Sequence, residues 1–400
     1  MNHKPRTYLF CRKNFDKLAV NLRKQMAELP ILTQVLMITA ASALIIQFFY
    51  YLYVYGAVAF GRPPRRREKK YMPVSVIICA RDEEENLKKF LPEILTQDYP
   101  DYEVVVVNDA SVDGTEDLLE EMAKKYPRLR HTTIRKDESF THAKKLAVLV
   151  GIKASRHEWL LFTDADCRPA SPQWIRLMAR NFTRKTSIVL GYGKFMRRGG
   201  LLNNFIRYEA FFIGLQYLGF ALRGIPYMGV GRNLAYRKPL FYEISRRPFF
   251  NKVVSGDDDL LVNRLGTRSN TRIETDIRSH TLSVPPASLK EWFRIKKRHI
   301  TTAKYYTART KWLTAGEMIS RLLFLGSAAA LFFTATPWWI PATALGLRLF
   351  AMITVFAYAG KRLAEKQLLL SSLLYDVVIP FFYFAIWISN LSRTAERNWA

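Results

Sequence analysis

Two aspartates close a short apolar run, Trp159-Leu160-Leu161-Phe162-Thr163-Asp164-Ala165-Asp166, and a proline follows at 169. Along an extended chain residues i and i+2 face the same way, so Asp164 and Asp166 can present both carboxylates to one hard cation or to a metal-bound diphosphate. Pro169 cannot donate to a central ladder, so the strand must end before it. A strand followed by an Asx-type turn accounts for the same letters without any chemistry. What separates the two readings is the company the pair keeps: further acids stand at Asp82 to Glu85, at Asp109 and at Asp257-Asp258-Asp259. The last triplet reads either as a buried general base among repelling neighbours or as the acidic first turn of a solvated helix.

The elements that must position these acids follow from periodicity. Val74 to Ala80 is apolar almost throughout, as strands covered on both faces are. A helix is expected from the acidic Asp82-Glu83-Glu84-Glu85 to about Leu95, then a strand over Glu103 to Val107 and a turn-rich loop, Asn108 to Thr115. An acidic helix from Glu116 to Lys125, a helix over 142–151 and the strand at 159–163 follow. Strands alternating with helices at this spacing predict an α/β fold with a parallel, doubly wound sheet. Ligands in such sheets bind beyond the carboxyl ends of the strands, where Arg81, Glu83, Asp109, Asp164 and Asp166 all fall.

The order Val74-Ser75-Val76-Ile77-Ile78 to Ala80-Arg81-Asp82-Glu83, Val107-Asn108-Asp109-Ala110-Ser111 to Asp113-Gly114-Thr115, Lys144 to Ala147 and Asp164-Ala165-Asp166 resembles the family 2 glycosyltransferases of membrane-anchored bacterial type. The resemblance covers about residues 72–300. It implies a GT-A nucleotide-sugar-binding fold with a mixed, mostly parallel sheet. Ala80, Arg81, Glu83 and Asp109 would hold the uridine and ribose of a donor, Lys144 would lie near the nucleotide and Asp164 would contact it. Asp166 would bind the Mg2+ or Mn2+ on the diphosphate. Gly229-Val230-Gly231-Arg232-Asn233 looks like the acceptor-side loop, giving Gly231, Arg232 and Asn233 that role together with Asp257. Asp258 matches the base position, and Arg298 remains from a motif that carries Gln and Trp where this chain has Ile295 and His299.

The rest of the chain is organised for a membrane. Residues 31–60 are almost uncharged and long enough to span, and three further apolar stretches lie at about 318–335, 342–359 and 368–391, the first shortened by Glu317 and Arg321. The expected division is a basic segment over 1–30, a transmembrane helix over 31–60, a catalytic domain over 72–312 and a membrane region of about three helices over 313–400. Arg348 and Asp376 fall inside expected spans, where an isolated charge is costly, and the two are expected to face each other across an antiparallel pair of helices. Leu201, Phe205, Tyr208, Phe212 and Leu215 recur at helical spacing, as in an interfacial or a core helix. The net charge of +27 comes without a nucleic-acid-binding motif; its basic residues flank the spans, at Arg62 to Lys70 and Lys290 to Lys311. By the positive-inside rule the domain between them is cytoplasmic, beside anionic membrane lipids. Three cysteines without metal or disulfide spacing suit a reducing compartment. The function expected is an inverting, metal-dependent glycosyltransferase that moves a sugar from a nucleoside-diphosphate donor, a UDP-sugar, to a lipid or saccharide acceptor at the cytoplasmic membrane face. The alternatives are a processive polysaccharide synthase, a membrane-associated nucleotidyltransferase and a non-catalytic scaffold.

Overall fold

The computed structural model describes residues 29–61, 71–135, 144–248, 250 and 256–391. The basic segment over 1–28, the whole Arg62 to Lys70 cluster, and Ser255 lie outside the described residues. The chain forms two compact units, one of residues up to Tyr51 with Ala315–Met352, the other of Leu52–Thr314 with residues from Ile353 on. Packing therefore groups the last membrane-type helix with the catalytic sheet, although the sequence suggested a boundary near 312.

In the first unit the helix α1 (Ile31–Phe60) contributes its N-terminal part, with a π-helical turn from Phe49 to Tyr55. Ala43 packs there with Phe324 and Ala328. Gln47, fully buried, satisfies its surroundings in both directions: its Nε2 donates to the Glu317 carbonyl and to Ser320 Oγ (2.9 Å), and its Oε1 accepts from Arg348. Arg348 also donates to the Tyr51 hydroxyl (3.1 Å), and Arg321 pairs with Glu317 one turn away. These charges inside apolar helices are thus partnered, as low-dielectric surroundings demand.

The second unit is built on a sheet of seven strands: β1 (Val74–Ala80), β2 (Tyr102–Asp109), β3 (Leu129–Ile134), β4 (Trp159–Phe162), β6 (Ile188–Leu190), β8 (Leu234–Arg237) and β9 (Thr271–Ile273), in the order 3-2-1-4-8-6-9. The 3-2-1-4 half is parallel; β8 runs antiparallel to both β4 and β6, and β6 pairs parallel with β9. The result is mixed and mostly parallel. A second sheet orders β5 (Cys167–Pro169), β10 (Thr281–Ser283) and β7 (Gly193–Phe195). β2 is buried along its whole length, which explains its unbroken valine run. The helices between are α2 (Glu84–Leu95), α3 (Thr115–Lys125), α4 (Lys144–Ala154), α5 (Trp174–Ala179), α6 (Leu201–Leu222), α7 (Lys238–Ser245), α8 (Asp257–Leu265) and α9 (Leu289–Ala303). α2 buries Leu87, Leu91 and Ile94, one helical stripe, against the core of β1 and β2, each side chain contributing about 1.5–3 kcal/mol of hydrophobic stabilisation. α6 is a core helix: even Arg207 and Glu209 are buried along it.

Three more helices follow, α10 (Ala308–Leu331), α11 (Trp339–Arg362) and α12 (Leu369–Leu391). Among the described residues three helices are long and apolar enough to cross a membrane: Ile31–Phe60, Trp339–Arg362 and Lys366–Asn390. α10 does not join them, because Arg309, Lys311, Glu317 and Arg321 fall within it. The C-terminal spans thus number two where about three were expected. α12 packs on both α6 and α9.

Candidate active site

β4 ends at Phe162 and delivers Asp164 and Asp166 just past the sheet edge. The turn is pinned by the Cys167 amide donating to the Asp164 carbonyl (3.1 Å) and the Val284 amide donating to the Asp166 carbonyl (3.1 Å). Lys144, at the start of α4, donates from Nζ to Asp164 Oδ1 at 2.6 Å. Burial works against the charge on Asp164, yet the Lys144 ammonium holds its carboxyl below the usual range. Asp166 has no ion pair of that kind among the described residues, Arg232 acting on it only as a weaker influence. Burial, and then the neighbouring Asp164, push its carboxyl up to about 7. Ligand atoms of Asp164, Asp166 and Cys167 lie within 4.8 Å of one another. The Cys167 thiol, pushed well up by burial, stays protonated and points at Asp166 Oδ1 (3.2 Å). Oxygen donors short of positive charge fit a hard divalent cation such as Mg2+ or Mn2+.

The second acid group enters from α8. Gly256 caps that helix in the left-handed region (φ +85), and a Cβ there would stand 2.5 Å from Thr302 Oγ1, so only glycine fits. The three acids of the first turn then diverge. Asp258 Oδ2 accepts from the Gly231 amide at 2.6 Å and Oδ1 from the Asp259 amide at 2.9 Å. Burial, reinforced by Asp257, raises the Asp258 carboxyl to about 7. Asp259 instead accepts from the Tyr306 hydroxyl (3.1 Å). The triplet does open a helix, as one of the two readings expected, and within it Asp258 is held at both oxygens and lines a cavity.

That cavity, about 460 Å3, is lined by Lys144, Asp164, Asp166, Asp257, Asp258 and Arg298 together. Arg298 projects from α9; burial opposes its charge, while the Asp164 and Asp258 carboxylates support it. Gly231 and Arg232 also line the cavity, and the Arg232 guanidinium lies over the Phe195 ring at 4.3 Å. Asn233 does not line it. Its Nδ2 donates to the carbonyls of Tyr192 (3.0 Å) and Ser279 (2.9 Å), and its Oδ1 accepts from Trp174 Nε1 (3.0 Å). All its hydrogen-bonding reach is spent inside the core, so its expected place on the acceptor side is corrected to that of an anchor for the 229–233 loop.

The expected nucleotide edge is partly different from the cavity lining. Glu83 lines the cavity and accepts from Asn86 Nδ2 at 2.6 Å. Ala80 and Asp109, the last residues of β1 and β2, are fully buried, and neither they nor Arg81 line it. The two loops that follow these strands are laced together instead. The Asp82 amide donates to Ser111 Oγ, the Val112 amide to Asp82 Oδ1 (2.7 Å), and the Glu84 amide to Asp113 Oδ2. Asp82 and Ala110 both sit at φ 54, a strained conformation for residues with a Cβ, of the kind that gathers at functional sites.

Several lining residues carried no motif. Trp292 and Lys296, also on α9, line the cavity, with the Lys296 ammonium 4.3 Å from the Trp292 ring centroid. Lys296 pairs at 2.7 Å with Glu209, which is fully buried on α6 and also accepts from the Tyr383 hydroxyl of α12. The signal for Glu209 was a lone acid in an otherwise apolar helical run. Trp292 gave none beyond its position one and a half turns before Arg298.

The chain is similar in sequence and in fold to known glycosyltransferases. Residues 75–245 match the model of the glycosyl transferase family 2. The glycosyltransferase AglE of Haloferax volcanii is 36% identical over 104 residues, which is 26% of this chain and 33% of that protein. The beta-monoglucosyldiacylglycerol synthase of a Nostoc species is 30% identical over 127 residues, 30% of this chain and 26% of that protein. The matched stretch thus spans no more than a third of either relative. Among solved structures, the mannosyltransferase PcManGT from Pyrobaculum calidifontis, in complex with GDP-Man and Mn2+, superposes with a TM-score of 0.53 at 17% identity. That alignment covers 86% of this chain and 99% of PcManGT. Residues 75–245 thus carry a domain of the glycosyl transferase family 2 type, and the chain around it has a GT-A fold.

Proposed function

We propose that the protein is an inverting, divalent-metal-dependent glycosyltransferase that moves a sugar from a nucleoside-diphosphate donor, a UDP-sugar, to a lipid or saccharide acceptor at the cytoplasmic membrane face. The observation that carries this reading is that one cavity takes the Asp164–Asp166 pair from β4 and the Asp258 carboxyl from α8 into a single lining. Its volume of about 460 Å3 lies in the range of small-molecule sites.

Asp166, with Asp164 beside it, would hold the metal, and a bound divalent ion supplies neutralisation of the charge gathering on the departing diphosphate. Lys144 and Arg298 bring fixed positive charge to the same end. Asp258 is the general base. The acceptor oxygen attacks the anomeric carbon from the face opposite the diphosphate, its proton passes to Asp258, and the carbon–oxygen bond to the diphosphate breaks with the electron pair leaving on the nucleotide. A carboxyl poised near 7 by burial and Asp257 is suited to take a hydroxyl proton at neutral pH. One displacement with one base inverts the anomeric centre. Gly231 serves the base through its amide, which orients Asp258 Oδ2.

The test separates base from donor site. Asp258→Asn is expected to lower transfer to membrane-extract acceptor by about 100- to 10,000-fold while leaving donor affinity, read by calorimetry, nearly unchanged. Near-normal turnover in Asp258→Asn, or an equal loss of donor affinity, refutes the assignment.

A further inference from the structure

Away from the catalytic cavity, Gly200 (φ +96) opens α6 without any side-chain cap, and no acid stands in the first turn. First-turn amides have no partner within their helix, and the helix dipole adds partial positive charge there. Many helices start this way. Here a pocket of about 500 Å3 surrounds the start, formed by Arg197, Arg198, Gly200, Asn204, Arg207 and Gln367. Arg207 is only 6% exposed, and while its Nη2 pairs with Glu365, its buried Nε has no hydrogen-bond partner among the described residues. Leaving such a donor unmatched is costly, and an anionic oxygen is its natural complement. The pocket's lining holds three arginines and no acid, and Glu365 pairs with Arg207 alone, so the pocket keeps an excess of positive charge.

The surroundings say where the anion comes from. Gln367 belongs to the Lys366–Asn390 helix, one of the three apolar enough to span a membrane. Further along that helix the Tyr375 hydroxyl donates to the Leu201 carbonyl at the start of α6 (3.2 Å). Leu201 itself is 83% exposed, and Leu370 is 81% exposed. A basic pocket beside two exposed leucines, Leu201 of α6 and Leu370 of the membrane-type helix, matches a molecule with a charged head and apolar chains. We propose that this pocket binds the phosphate of an anionic phospholipid headgroup, with the acyl chains left in the bilayer. The proposal rests on the membrane reading of Lys366–Asn390 and is independent of the catalytic assignment.

The full chain, in nanodiscs of phosphatidylcholine alone or mixed with phosphatidylglycerol, provides the test through its thermal midpoint and through the lipid it retains in native mass spectrometry. Inorganic phosphate, added to detergent-solubilised protein, is the probe for a free-anion site. Wild type should retain phosphatidylglycerol over phosphatidylcholine and unfold at higher temperature with it. Arg197→Gln with Arg198→Gln, both exposed and so harmless to folding, should weaken that retention about thirty-fold. Asn204→Asp keeps the side-chain shape and favours the helix start, yet places a carboxylate in the pocket, and should abolish the preference. Arg184→Gln with Lys185→Gln, an exposed basic pair elsewhere, should leave it intact. Equal retention of the two lipids, loss of preference in the Arg184 and Lys185 control, or unchanged retention in the pocket variants overturns the proposal. So does a midpoint rise with inorganic phosphate and none with phosphatidylglycerol.

Discussion

Replacing Asp166 by asparagine should make the ligand-free protein more stable at neutral pH while abolishing its response to metal. Asp166 lies between Asp164 and a buried turn, and its carboxyl is moved from an ordinary 3.8 to about 7. Holding it charged at pH 8 therefore costs about 4 kcal/mol at full effect; because the side chain is part-exposed, solvent screening leaves about 1–2 kcal/mol of that in measured stability. The direction follows from proton linkage. Below about pH 4 the carboxyl is protonated in both the folded and unfolded chain, and no penalty exists. As pH rises toward 7 the unfolded carboxyl ionises freely while the folded one resists, so the unfolded state holds fewer protons and stability falls. Asparagine never ionises. Thermal melts in detergent should show wild type losing stability between about pH 4 and 7, with Asp166→Asn raised by a few degrees at pH 8 and level with wild type near pH 4. Saturating Mn2+ should raise the wild-type midpoint and leave the variant unmoved. A variant less stable than wild type at pH 8 without metal, or one that Mn2+ stabilises as well as wild type, would refute the electrostatic account of this pair.

Two further outcomes follow from α8. At saturating donor and metal, turnover should fall about tenfold per pH unit below about 7, as Asp258 takes up its proton and ceases to be a base; a rate flat down to pH 5 places the base elsewhere. Gly256→Ala should destabilise by about 1–3 kcal/mol and slow turnover, since its Cβ must displace Thr302 and tilt the turn that carries Asp258; a midpoint equal to wild type would show that the turn relaxes without cost.

Three strands of the parallel half, β1, β2 and β4, were legible because each is a continuous apolar run that leads into charged residues. Short strands such as Ile188–Leu190 and Thr271–Ile273, of three residues each, give no periodicity to read. β3 escaped for another reason: Leu129–Ile134 is an edge strand, half-buried over most of its length, and its Arg130, His131 and Thr132 look like surface loop. Asp164, Asp166 and Asp258 stood out because acids at the end of an apolar run or in an unbroken triplet are locally unusual. Trp292, Lys296 and Glu209 reach the site, or support it, through contacts between α6, α9 and α12 that are far apart in sequence. Asn233 shows the reverse error, in which a polar residue beside a glycine looks like a ligand contact but its amide is needed by the scaffold.

Glu209 also bears on what counts as the enzyme. Its carboxylate joins Lys296 on the wall of the cavity to Tyr383 on α12, and Arg207, two residues earlier, meets Glu365 just before that helix. A polypeptide severed after residue 312 would take Glu365 away from the buried Arg207, at a cost of about 3–5 kcal/mol for a charge that loses its partner, and would leave Glu209 with Lys296 but without the Tyr383 hydroxyl. The last hydrophobic helix is therefore part of the catalytic body's own architecture rather than a tether that could be exchanged for another, and a water-soluble version of this protein would have to replace α12 with something that answers Glu209 and Arg207 in kind.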